Sequence, residues 1–212
     1  MASEFRVVAL VPAFNEARRI AATLAALAPW VDQMIVIDDG SCDATAEIAR
    51  KAGAVVLTNA HNQGYLAALR RGIAEARADI IVTVDADGEM PVELIPRLVE
   101  PIRNGLADMV QGHRNRIVRP SERLLTWLAA LKGPVGDSGT GFRAIRTDLA
   151  RRLQLNGACI CGTLTLEVLA LGGRVQEIDI ELRQIGKPRR IAWFHVRQFF
   201  YLLPWLFKSL KK

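Results

Sequence analysis

The sequence predicts an α/β fold in which helices flank a mostly parallel sheet. Four short apolar runs alternate with helix-like stretches in the first half of the chain, at residues 6–11, 33–37, 54–57 and 80–84. Such runs, which lack alternating polar positions, are typical of strands buried on both faces of a parallel sheet. Half of the 212 residues are hydrophobic, enough for one sizeable core, but the chain is too short for two ordinary domains and a linker. We therefore expect one domain with an appendage.

Helical periodicity connects these strands into βα units. Ile20, Leu24 and Leu27 recur at helical spacing after the first run, and two further stretches fit crossover helices. The second half of the chain is less regular. In chain order, the later predictions are helices at residues 44–52, 66–76 and 121–131, a turn at 139–141 and a half-buried strand at 175–180.

Polar and acidic segments follow directly after the four predicted strands, at residues 12–16, 38–41, 59–64 and 85–89. In open α/β sheets, ligands bind beyond the carboxyl ends of the strands. The sequence therefore predicts that these segments meet at one edge of the sheet and form the functional site there.

Asp85 and Asp87 are predicted to bind a divalent cation. They lie two residues apart at the end of the fourth strand, so in extended geometry their carboxylates point to the same side. Hard oxygen ligands suit Mg²⁺ or Mn²⁺, which keep positions open for water and for a substrate diphosphate. Glu89 is a candidate third ligand. The alternative is an acidic turn without an ion, in which Gly88 provides the bend.

Asp38 and Asp39 follow the second strand and precede a Gly40-Ser41 turn. A carboxylate at this place can accept hydrogen bonds from a base or a ribose. The structural alternative is a solvated turn in which Asp43 caps the next helix. That alternative suits Asp38 less well, because Asp38 continues an apolar strand.

Five segments together carry a family resemblance that covers roughly residues 5–190. They are Val11-Pro12-Ala13-Phe14-Asn15-Glu16, Asp38-Asp39-Gly40-Ser41-Cys42-Asp43-Ala44-Thr45, Asn62-Gln63-Gly64-Tyr65, Asp85-Ala86-Asp87-Gly88, and residues 137–143 (Asp-Ser-Gly-Thr-Gly-Phe-Arg) with Gly186-Lys187 downstream. In this order they are similar to the family 2 glycosyltransferases. The last segment resembles the branch with dolichyl-phosphate mannosyltransferases and related polyprenyl-phosphate glycosyltransferases. The resemblance implies a GT-A-like, Rossmann-like fold and an inverting transferase with a nucleotide-diphosphate sugar donor.

The resemblance also implies roles for the residues at the strand ends. Asp85, Asp87 and Glu89 would hold Mg²⁺ or Mn²⁺, which neutralises the departing diphosphate. Many relatives have Gln at the position of Glu89, so the donor sugar and base stay open. The residues predicted to bind the nucleotide sugar are Pro12, Asn15, Glu16, Asp38, Asp39, Asp85 and Asp87.

The acceptor that this branch implies is a polyprenyl phosphate, and guanidinium groups match phosphate oxygens in two-point contacts. The residues predicted to hold the acceptor phosphate are Arg114, Ser138, Arg143, Arg183 and Lys187. A phosphate is mostly deprotonated at neutral pH and needs no strong general base, so catalysis would depend on alignment and on Asp87 and Arg143. A hydroxyl acceptor would need a base, for which Asp137 is the candidate.

The end of the chain combines basic and aromatic residues. From Leu182 to Lys212 there are eight basic residues and no acidic ones, and seven of the thirteen aromatic residues lie between Trp193 and Phe207. This mixture predicts an amphipathic helix at residues 191–212 that lies on a membrane surface, after a catalytic domain at 1–190. It fits a membrane better than a nucleic acid, and we expect no nucleic-acid partner. The alternative is a terminal helix docked on the core.

The start of the chain lacks the features of a secretory signal, so we expect a peripheral enzyme at the cytoplasmic face of the membrane. Cys42, Cys159 and Cys161 lack metal-site spacing and are predicted to be reduced and structural. The three histidines do not cluster in the sequence and carry no predicted role.

Four alternative functions compete with the lipid-phosphate transferase. A transferase of the same fold with a hydroxyl acceptor gives no reason for the aromatic, basic terminus. A nucleotidyltransferase usually has a Gly-rich loop with Arg and Lys after the first strand, where this chain has residues 12–16. A dinucleotide-dependent oxidoreductase is disfavoured because no G-x-G-x-x-G follows that strand. A non-catalytic membrane scaffold is disfavoured by the intact acidic set.

Overall fold

The computed structural model describes residues 5–115, 120–133, 135–183 and 192–207. A seven-stranded sheet lies at its centre, with a hydrophobic core between the sheet and the helices on each face. The predicted boundary between residues 190 and 191 lies outside the described residues.

The first half of the chain alternates strands and helices as predicted. In chain order the elements are β1 (Val7–Ala13), α1 (Ile20–Leu27), β2 (Gln33–Asp38), α2 (Thr45–Lys51), β3 (Val55–Thr58), α3 (Tyr65–Glu75) and β4 (Ile80–Thr83). All four predicted strands are confirmed, and β4 ends one residue before the apolar run does.

The second half contains more regular structure than the sequence predicted. Its elements are α4 (Ile95–Arg103), β5 (Met109–Arg114), α5 (Pro120–Ala130), β6 (Arg143–Arg146), α6 (Thr147–Ala150), α7 (Thr163–Ala170), β7 (Val175–Ile180) and α8 (Ala192–Phe207). The predictions of α5 and β7 are confirmed. Strands β5 and β6 were not predicted, because β5 ends in polar residues and the short β6 has Arg at both ends.

The strand order is β3-β2-β1-β4-β6-β5-β7, and among these strands β6 runs antiparallel to its neighbours β4 and β5. Because β6 is reversed, its first residue, Arg143, lies opposite Thr83 at the edge where the parallel strands end. The reversal therefore adds the segment before β6, residues 137–142, to the functional edge.

Strand β1 is buried on both faces. Val7, Ala9 and Val11 contribute to the core on one side of the sheet, while Val8 and Leu10 contribute to the core on the other side. Full burial of a Val or Leu side chain stabilises the fold by about 1.5–3 kcal/mol relative to exposure. This two-sided burial explains why β1 has no alternating polar positions.

Helix α8 docks on α5 and α7 through a third, smaller core. Its buried face includes His195, Gln198 and Leu202. Its outer face exposes Phe200 by 64% and Tyr201 by 43%. Within the described ranges, every helix is too short or too polar to cross a bilayer.

Candidate active site

A cleft of about 340 Å³ opens at the carboxyl edge of the sheet and is called the first cleft below. The loops after β1, β2 and β4 and the start of α3 form its walls, because the parallel strands end together there. Five residues predicted to bind the nucleotide sugar line it: Pro12, Glu16, Asp39, Asp85 and Asp87.

The Asp39 carboxylate fixes the loop that precedes α3. Its Oδ1 accepts hydrogen bonds from Asn59 Nδ2 at 2.7 Å and from the Gln63 amide at 3.0 Å, and its Oδ2 accepts one from the Gly64 amide at 2.7 Å. Asp39 is only 4% exposed, so its carboxylate helps to hold the wall of the cleft in place.

Asn15 and Asp38 support the first cleft but are not among the residues that line it. The Asn15 side-chain oxygen accepts a hydrogen bond from the Cys42 amide at 2.9 Å, and the Asn15 amide donates to Ser41 Oγ at 2.9 Å. Asn15 has a φ of 55°, in the left-handed region that Asn tolerates better than most residues. Asp38 accepts a hydrogen bond from the Ser41 amide at 3.3 Å. These contacts join the loops after β1 and β2.

Asp85 and Asp87 line the first cleft from a turn, not from an extended strand, because β4 ends at Thr83. The Asp87 carboxylate accepts a hydrogen bond from the Glu89 amide at 3.2 Å. Glu89 is 4% exposed and is absent from the cleft lining. In the part of the chain that the structure describes, these three carboxylates do not form a converged group of metal ligands. Asp85 and Asp87 still fit a hard cation whose other positions are filled by water and substrate oxygens.

Asp85 lies against Gly141 and Tyr65. A Cβ at Gly141 would lie 2.6 Å from Asp85 Oδ1, and Thr83 Oγ1 secures this approach by donating to the Gly141 carbonyl at 2.6 Å. The Tyr65 hydroxyl is buried at the cleft, beside the Asp85 carboxylate. Burial and the negative charge of Asp85 raise the pKa of Tyr65, so the phenol stays protonated and can donate to a ligand.

Arg114, at the end of β5, is held by two buried carboxylates. Its guanidinium makes a two-point contact with Asp137, with Nε 2.6 Å from Oδ2 and Nη2 2.9 Å from Oδ1, and Nη2 lies 3.0 Å from Glu122 Oε2. Burial opposes both charges, but these contacts outweigh it: they lower the pKa of Asp137 and raise that of Arg114. A carboxylate with a lowered pKa and both oxygens bonded is a weak proton acceptor. The geometry therefore gives Asp137 the task of positioning Arg114 and disfavours its predicted role as a general base.

Arg143 is 2% exposed and lies beneath the segment that precedes β6. Its Nη2 donates to the Ser138 carbonyl at 2.9 Å and its Nε donates to Gln111 Oε1 at 3.4 Å. Burial lowers the pKa of Arg143. Ser138 Oγ is bonded to Thr126 Oγ1 at 2.9 Å. Neither Arg143 nor Ser138 lines the first cleft. Both support residues 137–143 from within, and this stretch is called the acceptor segment below because of its predicted role. Lys187 lies outside the described residues.

A second cleft of about 340 Å³ adjoins the first at Asp87 and lies against α1. Arg183, predicted to hold the acceptor phosphate, lines this second cleft and forms an exposed ion pair with Glu93 at 2.7 Å. Arg18 and Arg19 also line it, although the sequence pattern did not single them out. Three cations thus border a cleft that shares Asp87 with the first cleft.

The family model described as "Glycosyl transferase family 2" matches residues 8–166, which include both cleft-forming carboxylate segments and the segment before β6. The chain belongs to glycosyl transferase family 2. It is thus a sugar-transferring enzyme that uses a nucleotide sugar, which excludes the nucleotidyltransferase and oxidoreductase alternatives.

Curated relatives of this family 2 member include enzymes named for lipid-phosphate acceptors. The chain is 29% identical to "Undecaprenyl-phosphate mannosyltransferase" of Micrococcus luteus, over 87% of each chain. It is 29% identical to "Dolichyl-phosphate hexose transferase" of Haloferax volcanii, over 81% of this chain and 80% of the relative. The predicted resemblance to family 2 polyprenyl-phosphate glycosyltransferases is confirmed.

Solved family 2-like structures match the fold. Glucosyl-3-phosphoglycerate synthase from Mycobacterium tuberculosis, in complex with Mn²⁺, UDP-glucose and phosphoglyceric acid, superposes with a TM-score of 0.80 at 22% identity, over 95% of this chain and 80% of that one. At this identity the likeness concerns the fold alone, and the predicted GT-A-like fold is confirmed.

The sequence analysis did not predict some residues of this family 2 site. Tyr65 was quoted only as the end of a motif, although it directly follows the loop that Asp39 fixes. Gly141 and Glu122 become informative only when distant segments are brought together, as with Glu122 and Arg114. The pair Arg18-Arg19 follows the first motif closely enough that a search for cations beside the acidic loops would have found it.

Proposed function

We propose that this enzyme moves a sugar, with inversion, from a nucleotide-diphosphate sugar to a polyprenyl phosphate at the cytoplasmic face of a membrane. The transfer depends on Mg²⁺ or Mn²⁺ held at Asp85 and Asp87. The C-terminal segment that includes α8 contacts the membrane surface.

One observation carries the choice of a lipid acceptor: helices α5 and α8 together expose an apolar surface. The two helices pack side by side, and each exposes large apolar side chains at helical spacing. This surface, called the apolar stripe below, consists of Leu124, Trp127, Leu131, Val196, Phe200 and Tyr201, each more than 40% exposed. Several large apolar side chains exposed on two adjacent helices suit a contact with a membrane or another apolar partner.

The inner side of α5 supports the same choice. Glu122 binds Arg114, and Thr126 bonds to Ser138, so this helix contacts two residues predicted to hold the acceptor phosphate. A helix that is apolar outside and bonded to phosphate-binding candidates inside suits an acceptor with a lipid tail and an anionic head. The names of the relatives with undecaprenyl- and dolichyl-phosphate acceptors agree with this.

The donor is held on the other side of the first cleft. Asp39 and the loop it fixes form the wall for the nucleoside, and the protonated Tyr65 hydroxyl donates to a ligand oxygen beside Asp85. A bound divalent ion supplies Lewis-acid stabilisation of the departing diphosphate. The acceptor phosphate is already a nucleophile at neutral pH, so the protein aligns it and supplies positive charge instead of removing a proton.

Cations near Asp87 provide that positive charge. Arg183, Arg18 and Arg19 border the second cleft and reach solvent, so an acceptor phosphate can contact them directly. Arg114 and Arg143 act from beneath, by holding residues 137–143 and by their charge. Lys187 is proposed to join the acceptor site on the family resemblance alone.

A soluble phosphorylated acceptor is the second candidate. Glucosyl-3-phosphoglycerate synthase, which shares the fold, was solved with phosphoglyceric acid, an example of such an acceptor. The three cations at the second cleft suit either acceptor, because both present a phosphate. A soluble acceptor does not explain the exposed residues of the apolar stripe, whereas a lipid acceptor does. We therefore prefer the lipid acceptor.

The test is a release assay for nucleoside diphosphate. The purified enzyme is incubated with Mg²⁺ or Mn²⁺ and a panel of nucleotide sugars, with a short polyprenyl phosphate, with 3-phosphoglycerate, or with neither. Release that requires both metal and polyprenyl phosphate, and that Asp87→Ala abolishes, is expected. Release with 3-phosphoglycerate alone would replace the lipid by the soluble acceptor, and release with polyprenyl phosphate in the absence of metal would overturn the metal-dependent mechanism.

A further inference from the structure

Two cysteines and a histidine converge behind the acceptor segment. Cys159 and Cys161 lie on the loop before α7, and His195 lies near the start of α8. Their ligand atoms all lie within 4.8 Å of one another, and Cys161 Sγ lies 3.9 Å from His195 Nε2. Among the described residues this is the one such group of three. Spacing along the chain does not predict this group, because His195 follows Cys161 by 34 residues.

The His195 ring is oriented in the way that metal-binding histidines usually are. Its Nδ1 lies 2.7 Å from Ser121 Oγ, on α5. When Nδ1–H donates to this hydroxyl, Nε2 carries the lone pair and presents it to the two sulfur atoms. A hydrogen bond at the far ring nitrogen is the usual way in which proteins fix the tautomer of a metal ligand.

The loop that carries the two cysteines is fixed by the same helix as the histidine. Gln198 Oε1 accepts hydrogen bonds from the Ala158 and Cys159 amides at 2.9 and 3.1 Å, and Gln198 Nε2 donates to the Cys161 carbonyl at 2.8 Å. The position of the sulfur atoms relative to α8 is therefore set by backbone contacts. The side chains of Cys159, Cys161 and His195 are therefore held in place by hydrogen bonds around them.

The chemistry of these ligands selects the kind of ion. Thiolate and imidazole suit Zn²⁺, whereas the carboxylates of Asp85 and Asp87 suit Mg²⁺ or Mn²⁺. Two thiolates and one neutral imidazole also cancel the charge of a divalent ion, which limits the cost of burying it. Cys159 is partly exposed, so water can reach the fourth position of a tetrahedral ion.

We propose that Cys159, Cys161 and His195 bind a Zn²⁺ ion that fastens α8 to the catalytic domain. The ion joins two segments, the loop before α7 and helix α8, and Ser121 on α5 orients the histidine. It also lies close to the acceptor segment, because the Gly162 amide donates to the Ser138 carbonyl at 3.3 Å. This site is independent of the sugar-transfer proposal and has a different metal preference from the active site.

Cobalt titration of the full chain tests the site, because Co²⁺ replaces Zn²⁺ and reports its ligands. The reduced, metal-free protein is titrated with Co²⁺ in excess Mg²⁺, which occupies the carboxylates. The expected result is a thiolate-to-cobalt charge-transfer band that saturates at one ion per chain and disappears when Zn²⁺ is added. A carboxylate site produces no such band, so its absence would overturn the proposal.

Three variants assign the band. Cys161→Ser and His195→Gln are expected to weaken Co²⁺ binding by about 10–100-fold, as loss of a ligand or of its support does. Cys42→Ser is the matched control, since Cys42 is an exposed free cysteine elsewhere, and it should leave the band unchanged. An unchanged Co²⁺ affinity in Cys161→Ser, or a band that vanishes in Cys42→Ser, would refute the assignment.

A measurement on the unmodified protein guards against variants that fail to fold. Zn²⁺ is expected to raise the melting temperature of the reduced wild-type chain and to protect Cys159 and Cys161, but not Cys42, from a thiol-alkylating reagent. Equal alkylation of all three cysteines with and without Zn²⁺ would contradict the proposal. So would a Cys159–Cys161 disulfide, detected as the loss of two hydrogens in the mass, in protein purified with Zn²⁺ and without a reductant.

Discussion

The two sides of the active site hold their charges in different ways. On the donor side, Asp39 and Asp87 accept hydrogen bonds from backbone amides of nearby loops and line an open cleft. On the acceptor side, Arg114 and Arg143 are almost completely buried and bonded to side chains and carbonyls from distant segments. We therefore expect donor-side substitutions to change activity with little change in stability, and acceptor-side substitutions to change both.

The largest effect is expected for Asp87→Asn. Loss of a charge that stabilises the transition state costs about 10²–10³-fold in turnover, while the turn around Asp87 keeps its backbone. Turnover is measured by nucleoside diphosphate release and stability by urea unfolding. Asp179→Asn, whose side chain is 79% exposed, is the control. A large loss of stability in Asp87→Asn would break the distinction between the two sides.

Asp137→Asn is expected to act mainly on stability. It removes one charge of the buried pair with Arg114, and such changes lower the free energy of unfolding by about 3–5 kcal/mol. The matched control is Asp148→Asn, because Asp148 pairs with Arg146 at 2.7 Å on the surface, where such pairs contribute about 0–1 kcal/mol. Equal effects of the two substitutions in urea unfolding would show that burial does not distinguish these pairs.

The same pair predicts a pH dependence of stability. The pKa of Asp137 is lowered in the folded protein from its ordinary value of 3.8, so its contribution is present above pH 3.8 and is lost as the pH falls further. The stability difference between wild type and Asp137→Asn should therefore narrow as the pH falls below about 4. A difference in unfolding free energy that stays constant over this range would contradict the ionised Asp137–Arg114 pair.

A smaller effect on activity is expected for Asp39→Asn. The amide cannot accept from both the Gly64 and Gln63 amides with the strength of a carboxylate, so the Michaelis constant for the donor should rise by about tenfold. Hydrogen exchange in residues 59–64 should become faster. Asp43→Asn, in the adjacent loop and outside the lining of the first cleft, is the control for a general loosening of the donor side.

The smallest effect on the chemistry is expected for Trp127→Ser on the apolar stripe. Loss of this side chain, which is 58% exposed, should weaken binding to anionic lipid vesicles by about tenfold. Donor hydrolysis in the absence of lipid should not change. Vesicle co-sedimentation measures the binding, and Arg123→Ser on the same helix separates apolar from charge effects. Equal binding by wild type and Trp127→Ser would remove the main support for a lipid acceptor.

The sequence predicted the edge of the sheet at which three of the carboxylates meet, for a simple reason. Its strands are buried on both faces, so they read as apolar runs, and the rule for strand ends then places Asp39, Asp85 and Asp87 at one edge. Asn15 and Asp38 were included in the cleft because a sequence gives the loop but not which side chains turn inward. Glu89 as a third metal ligand stays a prediction.

The acceptor side was less predictable because its contacts are long-range. Arg114 contacts Asp137 and Glu122, and Asp137 lies in the segment that leads into the reversed strand β6. No apolar run marks that strand in the sequence. Arg143 was predicted from a motif, but its burial beneath residues 137–142 was not. The cluster of Cys159, Cys161 and His195 was missed because each residue was judged by spacing along the chain.

Gly141 lies just before β6, at a place where the backbone approaches Asp85 too closely for any side chain. Its backbone lies so close to Asp85 that even one methyl group would have to share space with a carboxylate oxygen, at 2.6 Å. A shift of β6 along β4 would therefore change the distance between Gly141 and the Asp85 carboxylate, and with it the position of that carboxylate. Substitutions far from the cleft that shift this strand should thus become visible as altered metal affinity, even when every ligand is intact.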